Sequence, residues 1–177
     1  RNNLKHKAIR TRFYLIINQA EFHLIIFNIN INKKEQGMPS QKVKVAIVGL
    51  GFGADFIPIY QSHPHAELYA ICQRSEEQLE AAGKKYGVDR LFTDYKDLCK
   101  IKELDAIHIV TPADTHAPIV LDCLKAEKHV ACTVPMAIDV KDCKEIVETR
   151  RKVGTVYMMM ETAAYTREFL YVKKLKD

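Results

Sequence analysis

Apolar residues fall along this chain in short dense blocks, separated by stretches in which polar and apolar positions mix at helical spacing. The blocks are "VKVAIVG" (43–49), "AELYAIC" (66–72), "RLFT" (90–93), "DAIHIVTP" (105–112), "HVACTVP" (129–135) and "TVYMMME" (155–161). Several are almost wholly apolar and rich in β-branched residues, the pattern of strands covered on both faces of a parallel sheet. The intervening "DFIPIYQSH" (55–63), "SEEQLEAAGKKYG" (75–87), "DYKDLCK" (94–100), "THAPIVLDCLKAEK" (115–128) and "VKDCKEIVETRRKVG" (140–154) read as helices, with "TREFLYVKKL" (166–175) as a last amphipathic one. Local punctuation agrees. Ser75 with Gln78 makes a capping-box start, Gly87 stands where a C-cap belongs, Pro58 falls near a first turn, and Asp139 with Asp142 opens a helix. Six strands alternating with helices predict an α/β fold, a doubly wound parallel sheet with right-handed crossovers.

The first strand runs into "GLGFGADF". Gly49, Gly51 and Ala54 fit G-x-G-x-x-G/A, with Phe52 between the glycines and Gly53 as an extra small residue. Between a strand and a helix this spacing has a physical use. The first glycine permits a tight turn, the second lets backbone approach a pyrophosphate, a small third residue lets helix pack on strand, and the helix start offers free N–H groups. A glycine turn without ligand is the plainer alternative; dinucleotide binding is the expectation. An acid at the end of the second strand would hold the ribose 2′-hydroxyl of NAD. Here Gln73 takes that place and Arg74 follows. A carboxylate is missing and a cation is available for a 2′-phosphate, so NADP, or either NADP or NAD, is expected.

Charge narrows the partners. Of 27 basic and 22 acidic residues, residues 1–37 hold seven basic (Arg1, Lys5, Lys7, Arg10, Arg12, Lys33, Lys34) and two acidic ones (Glu21, Glu35), which accounts for the whole net +5. Positions 38–177 are left with 20 of each, which removes the electrostatic basis for nucleic-acid binding. Six asparagines also lie in the first 37 residues and none beyond. This change of composition marks residues 1–37 as a leader, with Met38 as the natural start and a small contribution to the fold. In that segment Asn18, Gln19, Glu21 and His23 interrupt the apolar run well short of a membrane span, and no small-residue cleavage site follows. No membrane partner and a cytoplasmic location are expected. Cys72, Cys99, Cys123, Cys132 and Cys143 show no C-x-x-C pair and no metal spacing, which reads as reduced core thiols and no metal site.

"VAIVGLGFGADF", "AELYAICQRSEE", "IVTPADTHAPIVLDCLKAEKHV" and "VPMAIDVKDC" together resemble the Gfo/Idh/MocA oxidoreductases over about 140 residues from Met38 onward. Beside the glycine loop, the resemblance rests on a T-P-x-x-x-H element (Thr111, Pro112, His116) and an H-V-x-C-x-x-P-M-A run over 129–137. It implies an N-terminal Rossmann domain at 38–160 that holds NAD or NADP. It also implies a following domain that takes a sugar- or polyol-like small molecule and mediates homo-oligomerisation, and hydride transfer between substrate and nicotinamide. Thr111, Pro112, His116, Thr133 and Pro135 are then expected at the cofactor edge. Two departures stand out. Where the family commonly reads E-K-P, this chain has Thr133-Val134-Pro135, so the cation that would stabilise a developing alkoxide is missing. The chain also ends as "TREFLYVKKL" begins, so residues 161–177 read as the start of a truncated substrate domain, with Phe169, Leu170 and Val172 short of a partner surface. A non-catalytic NAD(P)-binding sensor and an NAD-dependent glycosidase of similar fold are the alternatives.

The remaining candidates each carry a plain reading. His116 is either catalytic or a loop-fixing residue, the latter favoured, and mid-strand His108 reads as a satisfied core or surface residue. Met158, Met159 and Met160 alternate faces of a strand and cannot converge on one ion. Glu161 and Tyr165 follow the last strand, where the resemblance puts part of the substrate site; either is a candidate proton relay, with a capping or interface role beside it. Cys132 has no neighbouring base that would make it a nucleophile.

Overall fold

Alternation of side chains explains how one strand serves two cores. In the computed structural model, which describes residues 25–30, 42–161 and 167–176 of the 177, β1 (Val43–Val48) sends Val45 and Ile47 to one face of the sheet and Ala46 and Val48 to the other. Parallel partners complete the sheet: β2 (Ala66–Cys72), β3 (Leu91–Phe92), β4 (Ala106–Ile109), β5 (His129–Thr133) and β6 (Tyr157–Met160). The strand order is β3-β2-β1-β4-β5-β6. β1 is central, pairing Val43↔Ala66 through Val48↔Cys72 on one side and Val45↔Ala106 through Val48↔Ile109 on the other, with one register shift at Val45/Ala46. The chain therefore leaves β1 in opposite directions before and after β3, which opens a crevice at the strands' carboxyl ends.

Helices cover both faces. α2 (Ile57–Ser62) and α3 (Glu76–Tyr86) pack Ile57, Ile59, Tyr60 and Leu79 against Val45, Ile47 and Ile71. On the opposite face, α4 (Tyr95–Cys99), α5 (His116–Lys125) and α6 (Val140–Val153) bring Leu98, Val120, Leu124 and Ile146 onto Ile107, Ile109 and Val130. Ser75 Oγ accepts from the Gln78 amide and Gly87 closes α3 at φ 66°; Asp139 caps α6, and Gly154 ends it at φ 75°. A final helix, α7 (Arg167–Lys176), leaves Phe169, Tyr171, Val172 and Leu175 exposed. The side chain of Leu170 lies outside the described residues.

Two features differ from expectation. The segment preceding Met38 is not peripheral where it is described: residues 25–30 form a helical stretch, α1, whose Ile25, Ile26 and Ile29 are 0–2% exposed in the same core as Val43, Ile57 and Met160. Apolar side chains at i, i+1 and i+4 give a short helix one buried face, which the composition of residues 1–37 concealed. The helix expected from Asp55 is preceded by a 3₁₀ turn, Gly53–Phe56, and becomes α-helical only at Ile57. Met160 is buried, Met158 packs beside it and Met159 is exposed, as alternation along β6 requires. Among the described residues, no helix is long and apolar enough to cross a membrane.

Candidate functional site

At the carboxyl ends of β1, β2 and β4 lies a groove of about 820 Å³. Gly49 begins it. At φ 93° its backbone is in the left-handed region, and a β-carbon there would run into the Val110 carbonyl that follows β4. Its amide meanwhile donates to the Cys72 carbonyl at 2.9 Å, holding the turn across β1 and β2. Gly51 is different: a β-carbon would meet nothing within 4 Å, because the position faces the groove. That is bare backbone beside open space, the condition a diphosphate needs for close approach. Phe52 forms the adjoining wall, 43% exposed and edge-on to Phe56 at 5.1 Å.

The close helix-to-strand contact expected at Ala54 belongs to its neighbour. A β-carbon on buried Gly53 would lie 3.1 Å from Ile47 Cγ2 and 3.2 Å from Val110 Cβ, whereas Ala54 is half-buried at the core's edge. The 3₁₀ turn causes the shift, since its tighter winding aims Gly53 at the sheet.

At the end of β2, Gln73 Nε2 donates to Gln78 Oε1 at 2.8 Å, and Arg74 stands exposed on the groove wall. Arg74 forms no ion pair with the described residues, and it is the only cation among those lining the groove. Thr93, Asp94 and Tyr95, which no motif flagged, close this side. Asp94 Oδ1 accepts from the Lys96 amide at 2.9 Å, and the Tyr95 hydroxyl donates to Asp122 at 2.8 Å. Burial, with the Asp122 carboxylate, lifts the Tyr95 phenol well above its ordinary value, so it remains a donor.

After β4, Thr111 and Pro112 line the groove, while Thr115 Oγ1 lies 2.8 Å from the Thr111 hydroxyl and donates to the Pro112 carbonyl at 2.7 Å. His116 is 1% exposed beneath them. Its Nδ1 lies 2.7 Å from the Pro135 carbonyl and its Nε2 2.8 Å from the Thr111 carbonyl, so the ring ties the loop after β4 to the loop after β5. Each ring nitrogen faces a carbonyl oxygen, to which only an N–H can donate. Thr133 donates to the Ile109 carbonyl at 3.3 Å, and Pro135 follows a cis bond from Val134, which is 39% exposed.

The groove thus gathers Gly49, Gly51, Phe52, Gln73, Arg74, Thr111 and Pro112, but its lining omits Gly53, Ala54, His116, Thr133 and Pro135. Those five support the groove through packing and hydrogen bonds. Tyr165 lies outside the described residues, and Glu161 is half-buried just past β6. His108 is fully buried against the rings of Phe56 and Tyr60, and burial pushes its imidazole down to about 3. Burial also holds the Cys132 thiol up at about 12, which leaves it inert near neutrality. Among the described residues, no three His, Cys, Asp or Glu side chains are grouped to hold a metal ion.

A bare-backbone crevice at the reversal point of a β3-β2-β1-β4-β5-β6 parallel sheet defines a dinucleotide-binding domain. The family it serves is clear. Residues 43–161 match the family described as "Oxidoreductase family, NAD-binding Rossmann fold", and the chain belongs to this Gfo/Idh/MocA family. Myo-inositol 2-dehydrogenase of Thermotoga maritima is 28% identical over 136 residues, 76% of this chain and 40% of the relative. A glycosyl hydrolase family 109 protein of Stenotrophomonas maltophilia is 29% identical over 142 residues, 73% of this chain and 31% of the relative. Among solved structures, scyllo-inositol dehydrogenase from Lactobacillus casei with bound NAD(H) and scyllo-inositol matches with a TM-score of 0.69 at 27% identity, covering 77% of this chain and 41% of that one. The chain therefore spans only 31–41% of the length of these relatives.

Proposed function

We propose that this chain is the cofactor-binding part of an NAD(P)-dependent oxidoreductase that moves a hydride between nicotinamide and a carbon of a sugar- or polyol-like alcohol or ketone. The observation that carries the reading is that Gly51's bare backbone lines the groove at the ends of β1, β2 and β4, where it leaves room for a diphosphate to approach the peptide N–H groups. The residues fit a dinucleotide. Gly49 and Gly51 supply the phosphate turn, Arg74 supplies charge for a 2′-phosphate where an acid is absent, and Val48, Val110, Pro112 and Ile119 give an apolar wall that limits water. When bound, nicotinamide accepts or returns the hydride at C4.

His116 acts as a positioning residue, because its buried ring lies between carbonyls of the two loops that flank the reacting end. Val134 can neither donate a proton nor stabilise an alkoxide. Arg74 cannot replace it, since β1 and β4 lie between the end of β2 and the end of β5. The acid-base group in this reading comes from the region after β6, with Tyr165 as its candidate. In this reading residues 38–160 form the cofactor domain and 161–177 lead into a substrate domain through which the whole protein self-associates. The free cysteines suit a reducing cytoplasmic setting.

The glycosyl hydrolase family 109 relatives, together with Val134, favour one second reading, glycoside cleavage without net cofactor change. Titration calorimetry with NADPH and NADH tests the first claim, and heat from neither nucleotide overturns it. Adding the residues that follow Asp177 and offering polyols and aryl glycosides then separates the chemistries: nicotinamide absorbance changes for a dehydrogenase, and aglycone appears at constant absorbance for a hydrolase.

A further inference from the structure

Sequence spacing kept the cysteines apart, but folding brings two of them together. Cys99, at the end of α4, and Cys123, on α5, have sulfurs 3.8 Å apart. Neither lines the groove. The pair is asymmetric: Cys123 is fully buried, whereas Cys99 is half-buried. The sulfur–sulfur hydrogen bond, in which either thiol can donate, holds Cys99 below its ordinary value against the cost of burial, with help from the Lys128 ammonium. The same hydrogen bond and burial hold Cys123 well above its own. Burial keeps Cys72 and Cys132 at about 12. Cys99 is thus the sulfur that solvent reaches, with a second sulfur 3.8 Å behind it.

The two helices are also joined near the groove. Tyr95, one turn before Cys99, lines the groove and donates to Asp122, the residue before Cys123. A disulfide needs its sulfurs about 2.05 Å apart, so closing the pair draws α4 against α5 and carries Tyr95 with it.

We propose that Cys99 and Cys123 form a redox-active dithiol that closes to a disulfide on reaction with a peroxide, and that closure weakens dinucleotide binding by displacing Tyr95. The Cys99 thiolate attacks a peroxide oxygen, breaking the O–O bond and leaving Cys99 as a sulfenic acid with hydroxide released. The Cys123 sulfur then attacks the Cys99 sulfur; the S–S bond forms, the S–O bond breaks, and the Cys123 proton leaves with the oxygen as water. Hydrogen peroxide gains the two electrons that the two thiols lose. An external dithiol reverses the step. The effect on binding rests on the cofactor reading above, whereas disulfide formation does not.

The full chain is treated with hydrogen peroxide and digested without reduction, and its peptides are weighed. The expected result is a Cys99–Cys123 cross-linked peptide that dithiothreitol removes, present in Cys143→Ser and absent in Cys99→Ser. NADPH titration of the same samples should show affinity lower by about fivefold or more in the oxidised chain, restored by dithiothreitol and insensitive to peroxide in Cys99→Ser. Cys99 recovered only as an over-oxidised or intermolecular product overturns the dithiol. A clean cross-link with unchanged NADPH affinity overturns the displacement of Tyr95. A cross-link in a chain whose reduced form binds no nucleotide overturns the cofactor reading and, with it, the effect on binding. Cys99→Ser serves as the control because Cys99 is half-buried, whereas Cys123 is fully buried.

Discussion

Gly49 and Val110 are in such close contact that the strand ends of β1 and β4 meet only because Gly49 has no side chain. Gly51, two residues on, has no neighbour within 4 Å of where a β-carbon would be. The two glycines should therefore fail differently. Gly49→Ala combines positive-φ strain with a backbone collision and should lower stability by about 3 kcal/mol, read from urea midpoints. Gly51→Leu should leave the midpoint within about 0.5 kcal/mol and weaken NADPH binding by tenfold or more, a result of filled space rather than lost fold.

Arg74 is exposed and forms no ion pair with the described residues, so removing it costs little in the free chain. Arg74→Ala should reduce NADPH affinity by about tenfold and leave NADH affinity nearly unchanged, as expected for one charged contact to a 2′-phosphate. Equal losses for both nucleotides would place Arg74 elsewhere on the cofactor.

His108 gives the fold a pH dependence of definite sign. Burial pushes its imidazole down to about 3, against about 6.5 in an unfolded chain. Below that upper value the unfolded state takes up a proton that the folded state refuses, so stability is complete above pH 6.5 and declines as pH falls towards 3. From pH 7.5 to 5.5 the loss from this residue should be about 1.4 kcal/mol. His108→Leu, set against the same Phe56 and Tyr60 rings, should flatten that part of the stability curve.

Ile29 tests the segment before Met38. Fully buried in the core with Val43 and Ile57, its truncation in Ile29→Ala should lower stability by about 2 kcal/mol or more. An unchanged denaturation midpoint would return residues 25–30 to the status of an appendage.

The sheet was legible because each strand announces itself: "VKVAIVG" and "DAIHIV" are apolar enough to be covered on both faces, and the glycine run after the first fixes which strand is central. Caps at Ser75 and Asp139 were legible for the same local reason. What local pattern cannot carry is contact across the chain. Thr93, Asp94 and Tyr95 reach the groove only because β3 pairs beside β2. Gly53 displaced Ala54 because a 3₁₀ turn changed the angle of approach. Ile25, Ile26 and Ile29 were hidden by the Asn- and Lys-rich composition of residues 1–37, since composition averages over a window in which only one helical face matters. His116 was readable as a site residue from its motif, but its double engagement by Thr111 and Pro135 needed the fold.

The position of β1 also governs how the chain emerges during synthesis. The Lys44 amide must wait for the Asp105 carboxylate, 61 residues later, before that side of the central strand is bonded. At ordinary translation rates this is a delay of roughly 3–12 s, during which one edge of a nearly all-apolar strand has no mate on the ribosome. Synonymous codons that slow elongation between β2 and β4 would lengthen that exposure.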